Sequence, residues 1–139
     1  MPGSERVVLC VEDDPIVRMF VADALTDAGF CVLEAGSAAE ALSVLSAGTD
    51  VQALVTDVDM PPGMNGFALA RMVSEHWPHI PIIVLSGCYS PGRGELPAGS
   101  VFLEKPVREE RLIAEVARAF RHAEILELAG QPSALAIVA

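Results

Sequence analysis

Long apolar runs, clustered positive charge and paired cysteines are all missing from this sequence, and each absence removes a class of protein. No stretch approaches the roughly 18 consecutive apolar residues of a membrane span. The chain is 52% hydrophobic, but Asp, Glu, Lys and Arg interrupt its long apolar runs. Lys and Arg number only 9 against 19 acids, are scattered, and leave a net charge of −10. A nucleic-acid partner needs a basic face against phosphate, so none is expected. Trp77 and Tyr89 stand alone and form no stacking platform. Cys10, Cys31 and Cys88 are odd in number and lack C-x-x-C spacing, which argues against a disulfide frame or a zinc site. Cys10 and Cys31 lie in apolar runs and are expected to be buried, inert thiols. Cys88 follows Ser86-Gly87 in an expected loop. His76, His79 and His122 show no ligand pattern. The opening Met1-Pro2-Gly3-Ser4-Glu5-Arg6 has no basic region followed by an apolar core. A cytoplasmic protein without a membrane partner is therefore expected.

What is present alternates between two periods. Residues 7–11 are a continuous apolar run, as in a strand buried on both faces. Asp14 then reads as an N-cap and Pro15 as the first helical residue. Ile16, Val17, Phe20, Ala24 and Leu25 follow at helical spacing, and Gly29 ends the helix. A second strand is expected over residues 30–35. Ser37-Ala38-Ala39-Glu40 reads as a capping box, opening a short helix with Ala41, Leu42 and Leu45 inward and Gly48 at its end. A third strand covers residues 51–56. A helix then runs from near Asn65-Gly66 to about Trp77. The fourth strand is Ile82-Ile83-Val84-Leu85, and Val101-Phe102-Leu103 is a short fifth. A last helix extends from about residue 108 to 129, with Leu112, Ile113, Val116, Ala117 and Phe120 on one face. Between strands four and five, residues 88–99 are rich in glycine and proline, so a loop or one helical turn is expected there. Strand-helix alternation with doubly buried strands means an α/β fold, a parallel sheet covered by helices on both sides. A chain of 139 residues fits one such domain.

Sites in open parallel sheets form beyond the carboxyl ends of the strands. Strand one ends in Glu12-Asp13-Asp14, strand three in Asp57, strand four in Ser86-Gly87 and strand five in Glu104-Lys105-Pro106. Neighbouring carboxylates repel, and a divalent cation resolves the repulsion. Oxygen ligands of this kind suit Mg²⁺, which binds through a few carboxylates plus a phosphate. Lys105 can meet another phosphoryl oxygen as a point charge, and Ser86 can donate a hydrogen bond. Phosphoryl transfer needs mainly such positioning and charge stabilisation, and a carboxylate is an established nucleophile for it.

This constellation resembles the receiver domain of bacterial two-component response regulators, with the chemotaxis-type single-domain regulators similar in layout. The likeness covers roughly residues 6–121. It implies a doubly wound, flavodoxin-like five-stranded sheet of order 2-1-3-4-5, here with the fourth helix shortened or missing. Glu12 and Asp13 match the family's acidic pair, Asp57 its phosphoacceptor, Met60-Pro61 the Met-Pro that follows, Ser86 its switch hydroxyl, Phe102 its switch aromatic, and Lys105-Pro106 its Lys-Pro with a cis peptide bond. The resemblance implies Mg²⁺ held by Asp13, Asp57 and the backbone carbonyl of Asp59, with Glu12 acting through water. It also implies a phosphohistidine donor on a sensor histidine kinase or a histidine phosphotransfer protein.

Two departures from the family pattern bear on function. The usual Asp-x-x-Met-Pro-x-Met-Asp-Gly gains one residue here, Met60-Pro61-Pro62-Gly63-Met64-Asn65-Gly66, and Asp59 adds a carboxylate that is expected to modulate the phosphoryl group's lifetime. The chain ends in the apolar tail Gln131-Pro132-Ser133-Ala134-Leu135-Ala136-Ile137-Val138-Ala139. Residues 1–121 are read as the receiver domain and 122–139 as a helix extension and tail, with homodimerisation through that extension expected. The reading is a stand-alone phosphoacceptor signalling by protein contact or phosphoryl shuttling, with at most self-phosphorylation and autodephosphorylation as activity. Two alternatives stay open. One is a receiver that binds partners without being phosphorylated. The other is a phosphatase using Asp57-Val58-Asp59 as an Asp-x-Asp pair, although such enzymes carry that pair on their first strand.

Overall fold

The computed structural model describes residues 6–58, 65–87 and 96–128. In chain order these form β1 (Val7–Val11), α1 (Pro15–Asp27), β2 (Cys31–Ala35), α2 (Ala38–Ser46), β3 (Ala53–Asp57), α3 (Gly66–His76), β4 (Ile82–Ser86), β5 (Val101–Glu104) and α4 (Glu109–Leu128). The five strands are all parallel, in the order β2-β1-β3-β4-β5. The alternation implied a parallel sheet covered on both sides, and this is the doubly wound, flavodoxin-like order that the family likeness implied.

Strand side chains alternate between faces, and the central strands use both. Leu9, Val11, Leu54, Ile82 and Val84 pack with Ala41 and Leu45 of α2 and Leu69, Ala70 and Val73 of α3. Val8, Val55, Ile83 and Leu85 pack on the opposite face with Leu25 of α1 and Leu112, Val116 and Phe120 of α4. Phe30 and Phe120 stack with ring centroids 5.4 Å apart, and the Arg6 guanidinium lies 5.7 Å from the Phe120 centroid. β3 and β4 are buried throughout, which explains why they read as unbroken apolar runs. Each such Val, Leu or Ile contributes about 1.5–3 kcal/mol through burial.

The helix starts follow local chemistry. Asp14 accepts hydrogen bonds from the N–H groups of Ile16 (2.9 Å) and Val17 (3.3 Å). Ser37 Oγ accepts from Glu40 N at 3.1 Å, but Glu40 Oε1 accepts from Gly36 N at 2.8 Å. The reciprocal half of this capping box is thus shifted one residue towards the N-terminus. Asn65 caps α3 through Ala68 N at 2.9 Å.

Two expectations change. Ile16 and Phe20, placed on the inward stripe of α1, are 58% and 63% exposed. At about 100° per residue, Ile16 lies opposite the fully buried Leu25. The buried face is set by Ala22, Ala24 and Leu25, with Val21 packed beside them. Cys31 is exposed, not buried, because it opens β2 at the edge of the sheet. Among the described residues no helix lies between β4 and β5, as expected. Residues 88–95 of that connection, with Cys88 and Tyr89, lie outside the described residues, as do Asp59, Met60-Pro61 and the tail from residue 129.

Candidate functional site

Register brings the strand ends to one level. Val11 pairs with Thr56, so Glu12 follows beside Asp57; Asp57 pairs with Leu85, Leu85 with Leu103, and Ser86 with Glu104. The residue after Glu104 is Lys105, whose N–H donates to the Ser86 carbonyl at 2.8 Å. The Lys105-Pro106 peptide bond is cis, as the family likeness implies. Acids from β1 and β3 and a cation from the end of β5 therefore share one edge of the sheet.

The side chains meet there. Lys105 Nζ lies 2.8 Å from Asp57 Oδ1 and 3.3 Å from Glu12 Oε1. Glu12, Asp13 and Asp57 each present a carboxylate oxygen within 4.8 Å of the others. Glu12 and Asp57 are buried, while Asp13 is exposed on the solvent side. Ser86 is fully buried at the end of β4. Phe102 is half-buried on β5 and packs towards the α2–α3 core. Of the residues singled out in the sequence, Glu12, Asp13, Asp57 and Lys105 are in mutual reach. Ser86 borders them through its backbone bond to Lys105, and Phe102 lies apart on the core side of its strand.

Burial raises the pKa of Glu12, and the charge of Asp57 adds to the shift. Burial alone would lower the pKa of Lys105. The hydrogen bond and charge of Asp57, joined by Glu12, outweigh it and hold the ammonium above the ordinary lysine value. Oxygen donors at this spacing, two of them buried, fit a hard divalent cation, which would relieve their repulsion.

Two supporting residues were not singled out in the sequence. Gly66 donates its N–H to the Val58 carbonyl at 3.0 Å. A Cβ there would overlap the Asp57 carbonyl group, with the carbonyl carbon only 2.8 Å away. Only glycine lets α3 begin so close to the Asp57 backbone. The Asn65-Gly66 pair was legible as a helix start, but the close approach was not. Arg18 is the second: its guanidinium reaches back along α1 to the Glu12 carbonyl at 2.7 Å and out to Glu34 at 3.2 Å. Nothing in the sequence spacing links Arg18 to Glu34, because β2, which carries Glu34, comes beside α1 only in the fold.

A family model described as "Response regulator receiver domain" matches residues 8–117. The sensor kinase CckA of Brucella abortus (strain 2308) is 38% identical over 120 residues, covering 84% of this chain and 12% of that protein. The two-component response regulator ORR3 of Oryza sativa subsp. indica is 35% identical over 113 residues, covering 78% of this chain and 86% of that one. The crystal structure of a response regulator receiver protein from Sinorhizobium medicae WSM419 superposes with a TM-score of 0.82 at 29% identity, covering 86% of this chain and 98% of that one.

The chain belongs to the response regulator receiver domain family of two-component signal transduction. Members of this family are phosphoacceptors and bind Mg²⁺ through acidic residues. They interact with histidine kinases or phosphotransfer proteins. No helix among the described residues is long and apolar enough to cross a membrane.

Proposed function

We propose that this chain acts as a receiver whose Asp57 accepts a phosphoryl group from a phosphohistidine. The observation that carries the reading is the position of Lys105, within 3.3 Å of both Asp57 and Glu12. An ammonium held there by two acids is placed to meet a phosphoryl oxygen once one arrives on Asp57. Asp13, Asp57 and the Asp59 carbonyl are assigned to Mg²⁺, with Glu12 acting through water. When bound, that ion supplies charge neutralisation for the phosphoryl oxygens.

The remaining steps belong to side chains. An Asp57 carboxylate oxygen attacks phosphorus as the phosphorus–nitrogen bond of the donor breaks, and the imidazole leaves with its electron pair. Lys105 follows the developing charge from the opposite side. Ser86 donates a hydrogen bond from its hydroxyl to a phosphoryl oxygen, and Phe102 follows Ser86 inward as the switch. Asp59 modulates hydrolysis of the acyl phosphate. Output passes by protein contact or by passing the group on. Self-association is assigned to the extension 122–139, supported by Ile125, which is 62% exposed on α4.

The test is intact mass after incubation with acetyl phosphate and Mg²⁺, for wild type beside Asp57→Asn. One added phosphoryl group that needs Mg²⁺ and is absent from the variant supports the reading. No addition from acetyl phosphate or from a phosphorylated kinase would leave the phosphorylation-independent binding module as the better account. Turnover of a generic phosphate ester would instead favour the phosphatase.

A further inference from the structure

Both peptide groups that flank Asp13 are held. The Glu12 carbonyl belongs to the Glu12–Asp13 peptide and accepts from Arg18 Nη1 at 2.7 Å. The Asp14 N–H belongs to the Asp13–Asp14 peptide and donates to Glu12 Oε2 at 3.2 Å. Arg18 is itself braced, since its Nε donates to Glu34 Oε1 at 3.2 Å. Glu34 stands on the edge strand β2, opposite Cys10 of β1. Gly36 keeps the space beside the guanidinium open, because a Cβ there would lie 3.2 Å from Arg18 Nη1. The acidic loop is thereby tied to the first turns of α1 and to the sheet edge at once.

We infer that Arg18, braced by Glu34, is a positioning residue for the divalent-cation site: it fixes the Glu12–Asp13 peptide so that the exposed Asp13 carboxylate faces Asp57. Three carboxylates crowded together repel. A free peptide would rotate to swing Asp13 away, and the cation would then have to bear the cost of bringing it back. A clamped one presents the ligand in place, as outer-shell partners do at other metal sites.

The charge of Arg18 makes the inference testable by sign. A guanidinium near the site repels a cation, so removing it should tighten binding if charge alone mattered. Positioning requires the reverse.

The inference rests on the cation site proposed above, so the experiment reads that site without phosphorylation. Mn²⁺ serves as the probe, and its dissociation constant is measured by the resonance of free Mn²⁺ on the full chain, with circular dichroism confirming the fold. Wild type is expected to bind, and Asp13→Asn to bind far more weakly. Arg18→Met should raise the dissociation constant about tenfold, with Arg18→Lys between the two. Gly36→Ala removes no charge and sits outside the left-handed backbone region, yet should weaken binding by crowding the guanidinium. It also keeps the test available if Arg18→Met fails to fold. Unchanged or tighter Mn²⁺ binding by folded Arg18→Met or Gly36→Ala, with Asp13→Asn still impaired, would overturn the positioning role alone. Absence of Mn²⁺ binding by wild type would overturn the cation site and this inference with it.

Discussion

Lys105 Nζ lies 2.8 Å from Asp57 Oδ1, in a group where Glu12 is its second anionic partner at 3.3 Å. The lysine is the internal counter-charge of the acid cluster. Lys105→Met keeps the length of the side chain and removes the charge. It is expected to cost about 1–2 kcal/mol at pH 7, less than a fully buried pair because the lysine is partly exposed. Saturating Mg²⁺ should restore much of that loss, and phosphorylation by acetyl phosphate should slow at least about tenfold. Urea denaturation with and without Mg²⁺, beside intact-mass time courses, checks both effects.

The raised pKa of Lys105 also fixes a direction with pH. A cation whose folded pKa exceeds its unfolded value stabilises the fold fully below the unfolded value of 10.5. That stabilisation is lost as pH rises through the folded value. Wild type should therefore lose an increment of stability in the alkaline range that Lys105→Met does not lose. Thermal midpoints measured from pH 8 to about pH 11.5 test this.

Glu12 responds in the acidic range. Its folded pKa is raised above 4.5 by burial and by Asp57. The protonated form is favoured in the fold, and ionisation costs stability as pH rises through the raised value. Glu12→Gln should increase the thermal midpoint at pH 7.5. That gain should shrink below pH 4.5, where Glu12 is protonated in both states. A gain independent of pH would show that packing, and not ionisation, is responsible.

Gly66 and Gly29 separate two kinds of glycine requirement. Gly29 has φ +100° with nothing within 4 Å of an added Cβ, so Gly29→Ala meets only backbone strain, about 1–2 kcal/mol. Gly66→Ala drives a methyl into the Asp57 carbonyl. It should cost about 1–3 kcal/mol and also displace Asp57. Denaturant midpoints should fall in both variants, while Mn²⁺ affinity falls only in Gly66→Ala.

The thiols should differ sharply in reactivity. Burial, with Glu12 and Glu34 adding to it, pushes Cys10 up to about 12. At pH 8 only about one Cys10 in ten thousand is then a thiolate. In a Cys88→Ser background, an aromatic disulfide reagent should titrate the exposed Cys31 in the native protein and Cys10 only after denaturation. Rapid loss of both thiols from native protein would contradict the burial of Cys10.

The strands and the site were legible because their signals are local. β1, β3 and β4 are buried on both faces, so they stand out as apolar runs. Glu12 follows and Asp57 ends such a run, Lys105 follows the short, half-buried β5, and a parallel sheet brings strand ends together. The α1 face was harder to read. Ile16 and Phe20 share a helical stripe, and the spacing that marks a stripe does not say which stripe is covered. Only contact with the sheet and α4 selects Ala22, Ala24 and Leu25. Edge position likewise decides Cys31. Arg18–Glu34 and Gly66–Asp57 are contacts across separate elements, and no periodicity within one segment encodes them.

The two-faced packing of the central strands has a mechanical consequence. Leu54 belongs to one core and Val55 to the other, as do Val84 and Ile83. Sliding a strand by one residue would exchange the two sets and wreck both. The sheet is therefore a stiff keel that cannot shift in register when its upper edge changes charge. A change of charge at Asp57 would be passed on through side chains and connections at that edge, and not through movement of the strands that carry it.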